Sequence, residues 1–298
     1  MATAFSAASW WRRQSLLMKI IVINVAVFLV LRLLGIIALI GSLDIGVVID
    51  RLAVPPHPAL LLHRPWTAFT YMFTHYDVFH ILFNMLALYW FGRILLLRCS
   101  PRQLTALYIY CGLGGALLFT AAAPVFPAVA SAPLIGASAS VMGILIALAM
   151  LMPDFEVQML LFGRIRLKWL AVGALVLFAL GLAGNNAGGH IAHLGGMIAG
   201  AAFALCLING TDITRPFNRL IDCLCNFFRK PSNFRFRRRK KKACFSQSNG
   251  PEPKRRPVTE KDLDTILDKI KQSGYASLTP DERARLFDFS NNSNNRHR

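Results

Sequence analysis

Three groups of polar residues stand inside otherwise apolar runs, and their types suit acyl transfer. His80 and Asn84 are spaced i,i+4, which on a helix puts them on one face, one turn apart. Both donate hydrogen bonds without a fixed charge, the property that stabilises a developing oxyanion in a water-poor site. In Leu134-Ile-Gly136-Ala-Ser138-Ala-Ser-Val-Met142-Gly143, a Gly-x-Ser run at a helix start presents a hydroxyl and its backbone N–H where helix donors are unsatisfied. In Gly188-Gly-His190-Ile-Ala192-His193-Leu-Gly-Gly196-Met-Ile-Ala-Gly200, Ala192, Gly196 and Gly200 make a small-residue ridge beneath His193, so another backbone can approach closely. An imidazole placed there can take a proton from a serine and return it. Each group also has an ordinary use, as interhelical hydrogen bonds or as close packing between membrane helices. That use is less natural for His75, His80, His190, His193 and Asn84 gathered near one membrane face.

The elements that must position these residues are membrane helices. The chain has 298 residues, of which 55% are hydrophobic and 16% charged, and its mean hydropathy is +0.46. Soluble domains carry about 25% charged residues, so a soluble single-core enzyme is excluded. Runs of about 20 apolar residues suffice to span a bilayer. Six are read here, at roughly 18–40, 77–97, 103–123, 138–152, 168–186 and 188–209. Arg93, Arg98 and Arg102 lie between the second and third, and Arg164, Arg166 and Lys168 between the fourth and fifth. The connectors 124–137 and 184–188 carry no charge. By the positive-inside rule both termini are cytoplasmic. The Pro-rich connector 41–66 is expected outside, as a shaped loop rather than a helix. Asn24 and Arg32 fall within the first run; Asn24 is expected to bond a neighbouring helix and Arg32 to snorkel to the outer face.

Together the polar groups resemble those of the rhomboid family of intramembrane serine proteases. His80-Ile-Leu-Phe-Asn84 is similar to the family's HxxxN, Gly136-Ala-Ser138-Ala139 to its GxSx, and Ala192-His193-Leu-Gly-Gly196 to its AHxxG, in the family's order and in the second, fourth and sixth spans. Trp66-Thr67 and Phe73-Thr-His75 upstream are also rhomboid-like. The resemblance covers about 15–210. It implies an all-α, polytopic six-helix bundle with a Ser–His dyad and no third acid, and no Asp or Glu lies in spans four or six. Carried over, Ser138 is the nucleophile and His193 the general base and then acid. His80, Asn84 and the Ser138 backbone N–H form the oxyanion hole, and His75, Gly136, Met142, His190, Gly196 and Gly200 support them. Ala139 stands where the family often has Gly. Met142 stands where it often has an aromatic under the catalytic His, so looser packing is expected there. The implied substrate is a single-span membrane protein cut near its outer boundary, in the inner (cytoplasmic) membrane. The competing reading is a rhomboid-like pseudoprotease that binds or moves clients without cutting; Ser138 and His193 are both present, which favours the enzyme.

The formal charge of +18 is uneven. Residues 1–210 hold 12 Lys/Arg and 5 Asp/Glu, and 211–298 hold 21 and 10. The domains read as a cytoplasmic N-terminus (1–17), the protease bundle (18–210), a basic and largely disordered linker (211–258), a small helical hairpin (259–289) and a disordered end (290–298). The run from Arg229 to Lys242 is expected to meet anionic lipid headgroups, and no nucleic-acid partner is expected. Thr259 with Asp262 marks the first hairpin helix, Gly274 its end, and Thr279-Pro280-Asp281-Glu282 the start of the second. The hairpin resembles a small cytoplasmic module seen after some bacterial rhomboids. The six cysteines form no disulfide framework, and no metal or other cofactor is expected, since no HExxH or paired CxxC occurs.

Overall fold

The structure is a computed structural model that describes residues 6–159, 163–181, 186–228 and 260–273, with 278, 279, 282 and 286. The chain divides into two compact units, Met1–Ser232 and Asn233–Arg298. The first unit is mostly helical. Its long helices are α1 (Leu16–Ile40), α2 (Val78–Leu95), α3 (Pro101–Ala122), α4 (Ser138–Leu151), α5 (Leu167–Gly181), α6 (Ala187–Ile208) and α7 (Arg215–Phe228). Among the described residues α1, α2, α3 and α6 are long and apolar enough to cross a membrane. With 14 and 15 residues, α4 and α5 rise only about 21–23 Å.

Polar side chains fix most helix starts. Ser15 Oγ accepts the Met18 N–H at 3.2 Å, and Asp77 accepts the His80 N–H at 2.7 Å. Ser100 and Gln103 form a reciprocal capping box with Pro101 in the first turn. Asn186 accepts the Gly189 N–H at 3.2 Å. No side chain caps α4, whose first residue is Ser138.

Contacts fix the helix directions. A Cβ on Gly92, near the end of α2, would strike Leu17 at the start of α1, and Arg32 lies over the Tyr76 ring just before α2. A Cβ on Gly136 would strike His80, near the starts of α4 and α2 respectively. Phe119, late in α3, and Gly181, ending α5, meet Gly188 and His190 at the start of α6. Thus α2, α4 and α6 begin at one end of the bundle, and α1, α3 and α5 finish there.

The core lies where α3, α4 and α6 meet on bare backbone. A methyl on Gly196 would strike the Ala139 carbonyl, and one on Gly200 that of Gly143, so α4 and α6 run parallel in fixed register. Gly114 and Gly195 face each other's carbonyls across α3 and α6. Such approaches bring Cα–H groups onto carbonyl oxygens and admit no side chain. By contrast α1 buries Leu17, Ile20, Asn24, Phe28 and Leu31 and exposes Leu29, Leu33, Ile36 and Ile37, an outer surface suited to lipid. Asn24 Nδ2 donates to the Tyr108 hydroxyl of α3 at 3.3 Å, the neighbouring-helix bond expected of it. Arg32, expected to snorkel, stacks on Tyr76 at 4.6 Å and on Phe28 at 5.7 Å.

Three connectors hold structure that was not expected. The 41–66 stretch contains short helices at Gly46–Asp50 and Pro58–His63 and is tied down by Trp66 Nε1 donating to the Arg51 carbonyl at 2.9 Å. Between α4 and α5 lies an antiparallel hairpin of β1 (Glu156–Met159) and β2 (Gly163–Arg166). Within 211–258, read as largely disordered, residues Arg215–Phe228 are helical.

In the second unit, α8 (Glu260–Ser273) occupies the first expected hairpin helix. Thr279 and Glu282 exchange capping-box bonds: Glu282 Oε2 accepts the Thr279 N–H at 2.7 Å, and Thr279 Oγ1 accepts the Glu282 N–H at 3.4 Å. Lys269 Nζ reaches the same carboxylate at 2.9 Å. Thr259, Asp262's side chain, Gly274, the run 229–258 and the end 290–298 lie outside the described residues.

Candidate active site

Ser138 opens α4 with a half-buried side chain, and His193 lies two turns into α6. The parallel seam sets Ala139 on Gly196, three residues beyond His193, and so delivers the two side chains to each other. Ser138 Oγ and His193 Nε2 are 2.7 Å apart, a hydrogen-bond distance at which the imidazole can receive the hydroxyl proton. Ser138's own N–H belongs to the first turn of α4, where N–H groups have no intrahelical acceptor.

The loop before Ser138 is held from two sides. Gly136 adopts φ +110°, a conformation open to glycine, and its N–H donates to the Tyr71 carbonyl at 2.9 Å. The Ala137 N–H donates to His75 Nε2 at 3.1 Å, and both residues are buried. That bond makes Nε2 the acceptor, so His75 carries its proton on Nδ1. The His75 ring packs edge-on against His80 at 5.1 Å. His80 in turn lines a cavity of about 420 Å³ together with Ser138, His193, Phe119, Leu134 and Asn186.

The remaining expected residues are placed less centrally. Asn84 is buried, and its Nδ2 donates to the His80 carbonyl at 2.8 Å. One of its two amide hydrogens is therefore used within α2, and Asn84 does not line the cavity. His190 packs at 5.7 Å from the His193 ring and against Gly181 and Phe178 of α5, with Nδ1 buried and unbonded. Met142 is half-buried one turn below Ser138. Gly196 and Gly200 sit in the seam. No group of three or more His, Cys, Asp or Glu able to hold a metal occurs among the described residues.

Two supporting residues escaped sequence reading. Tyr71 is buried, its hydroxyl donates to the Gly112 carbonyl at 2.6 Å, and its own carbonyl holds Gly136. Tyr108 donates to the Met72 carbonyl at 2.8 Å and so fixes the same segment. Both are ordinary aromatics in apolar runs, and only the fold shows what their hydroxyls reach.

Fold and site together define a multi-pass helical membrane protein with a hydroxyl and an imidazole paired at the head of two parallel helices. The Rhomboid domain model matches residues 62–210, half of the chain, and the chain belongs to the rhomboid family. A second model, a family of unknown function (DUF6576), matches residues 254–292, across the expected hairpin. No curated protein matches the chain.

Proposed function

We propose that this rhomboid protein is an intramembrane serine endopeptidase acting through a Ser138–His193 dyad. The family consists mostly of serine intramembrane proteases but includes inactive members, so the site must carry the choice. The observation that carries it is the 2.7 Å contact between Ser138 Oγ and His193 Nε2 beside a cavity large enough for a peptide segment. A serine hydroxyl is a poor nucleophile until a base takes its proton, and a dyad held at bonding distance supplies that base.

In the proposed reaction the Ser138 oxygen attacks the scissile carbonyl while His193 Nε2 takes the hydroxyl proton. The new oxyanion is met by the Ser138 N–H and by His80, with the second Asn84 amide hydrogen in reserve. His193 then returns the proton to the leaving amine, and water releases the acyl group by the reverse sequence. Neither α4 nor α6 contains an acidic residue; the His193 ring is bounded on one side by His190 instead.

The proposed substrates are single-span membrane proteins, cut near the outer boundary of the inner membrane. The six alternating helices α1–α6 are taken as six crossings, with both termini cytoplasmic. Arg93, Arg98, Arg102, Arg164, Arg166 and Lys168 then lie on the side opposite the dyad, as the positive-inside rule requires. The basic run 229–242 would face anionic lipid on that same side, and 259–289 would be a separate cytoplasmic hairpin. Co-expression with a model single-span substrate tests the reading: the wild type should yield a cut product and Ser138→Ala none. Equal processing by both would leave a client-binding rhomboid without proteolysis.

A further inference from the structure

α7 follows the last apolar helix and is sharply two-sided. At 100° per residue, Phe217, Leu220, Ile221 and Leu224 gather on one side and Arg215, Arg219, Asp222 and Asn226 on the other. Its contacts with α3 show how these sides are turned. Asp222 pairs with Arg102 at 3.0 Å, at the very start of α3. The Phe217 ring meets Tyr110 at 5.7 Å, eight residues and about 12 Å farther along that helix. The polar side of α7 therefore points past the end of the bundle, and the apolar side points toward its middle. The bundle touches α7 along the edge between them.

That edge leaves Leu220, Ile221 and Leu224 uncovered, at 57%, 39% and 46% exposure. Leu205 and Ile208 of α6, the helix that leads into α7, are likewise exposed near its end. Arg215 and Arg219 are exposed on the opposite side, and nine Lys/Arg follow in 229–242. An apolar stripe level with the span ends, with arginines at its polar side, matches the boundary between acyl chains and anionic headgroups.

We infer that α7 is an in-plane membrane anchor, seated in the headgroup–acyl boundary of the leaflet at the Arg102 end of α3. Leu220, Ile221 and Leu224 enter the acyl region, and Arg215 and Arg219 bind phosphates of anionic lipids. This rests on the membrane placement of the bundle and is independent of the peptidase reading, because no step of it involves Ser138.

The test places a genetically encoded environment-sensitive fluorescent residue at position 224 or 219 of the full chain, in a Ser138→Ala background. The protein is reconstituted in phosphatidylcholine nanodiscs with or without phosphatidylglycerol, and lipids brominated high on the acyl chain serve as quenchers. Position 224 should be blue-shifted and quenched several-fold more strongly than 219, and more strongly with phosphatidylglycerol present. Arg215→Glu with Arg219→Glu should weaken that lipid dependence several-fold. A blue-shifted but unquenched signal at 224 would overturn the inference, since the tail or a second copy would then cover the stripe. Equal water exposure at both positions would also overturn it, and quenching indifferent to phosphatidylglycerol would overturn the anionic preference.

Discussion

At the scale of single residues, distance separates the two half-buried histidines at the start of α6. His193 bonds Ser138, whereas His190 packs on the Phe178 and His193 rings and against Gly181. His193→Ala should therefore match Ser138→Ala in losing essentially all cleavage, and the double variant should be no worse, because dyad partners act as a unit. His190→Ala should retain measurable turnover. Labelling by a fluorophosphonate probe distinguishes these outcomes; loss of labelling in His190→Ala with retention in His193→Ala would reverse the assignment. Gly136→Ala combines an unfavourable φ with a clash on His80 and should cut turnover at least tenfold, about 1.4 kcal/mol in the barrier. The proximity of Ser138 and His193 was expected from the resemblance of their motifs to those of the rhomboid family, with the small-residue ridge beneath His193 marking where another backbone could approach. The Asn84 bond to its own helix was not, since i,i+4 spacing puts a side chain on a face without saying which of its hydrogens remains free.

At the scale of elements, the α4–α6 seam leaves no room for a side chain. Gly196→Leu would drive a side chain into the Ala139 backbone next to Ser138. It should destabilise by at least the 1–3 kcal/mol typical of overpacking and abolish probe labelling, read by thermal unfolding in micelles and gel fluorescence. The small-residue ridge on α6 was visible in sequence. Its partner surface was not, because Ala139 and Gly143 look like any small membrane residues until the register is known. The β1–β2 hairpin was read only as a charged loop, its short strands offering too little alternation to signal a sheet. A different element-scale test lies at the α6–α7 junction. Asp212 is raised by burial, but bonds from the Thr214 hydroxyl and N–H and from Gln103, with the charge of Arg215, bring it below the usual carboxylate range. A carboxyl lowered on folding contributes stability above its unfolded pKa of about 3.9 and loses it as pH falls through the folded value. Acidification should therefore lower the unfolding temperature more steeply in the wild type than in Asp212→Asn.

At the scale of the whole molecule, every residue proposed for chemistry lies in the first unit, as do the α7 contacts. A chain ending at Ser232 should keep cleavage, whereas one ending at Asn209 loses the Asp222–Arg102 and Phe217–Tyr110 contacts and should unfold at lower temperature. Reporter fusions after Arg98, Lys168 and Thr211 should read cytoplasmic and those within 44–60 and 124–133 outside; a periplasmic reading at Thr211 would break the six-crossing arrangement. Six apolar helices stand where hydropathy put the six runs, with boundaries within a few residues for α1, α2, α3 and α6, and these four are long enough to cross a membrane. The reading of α4 as 138–152 is also within one residue of its end, while the fifth run, read to 186, continues past Gly181 into 182–185, which lie outside the described residues.

The bare start of α4 has a consequence for energetics. Serine, aspartate or asparagine side chains meet the first N–H groups of α1, α2, α3 and α6, and omitting such a partner costs a helix roughly 0.5–2 kcal/mol. α4 accepts that deficit at Ser138, and its peptide dipoles leave about half a positive charge there. In the proposed reaction, the negatively charged oxygen formed on attack would supply the missing partner. On the proposed peptidase reading, what the empty fold forgoes in stability at this helix end would be returned as affinity for the anionic stage of the reaction. A tetrahedral phosphonate on Ser138 should accordingly raise the melting temperature beyond what its buried area explains.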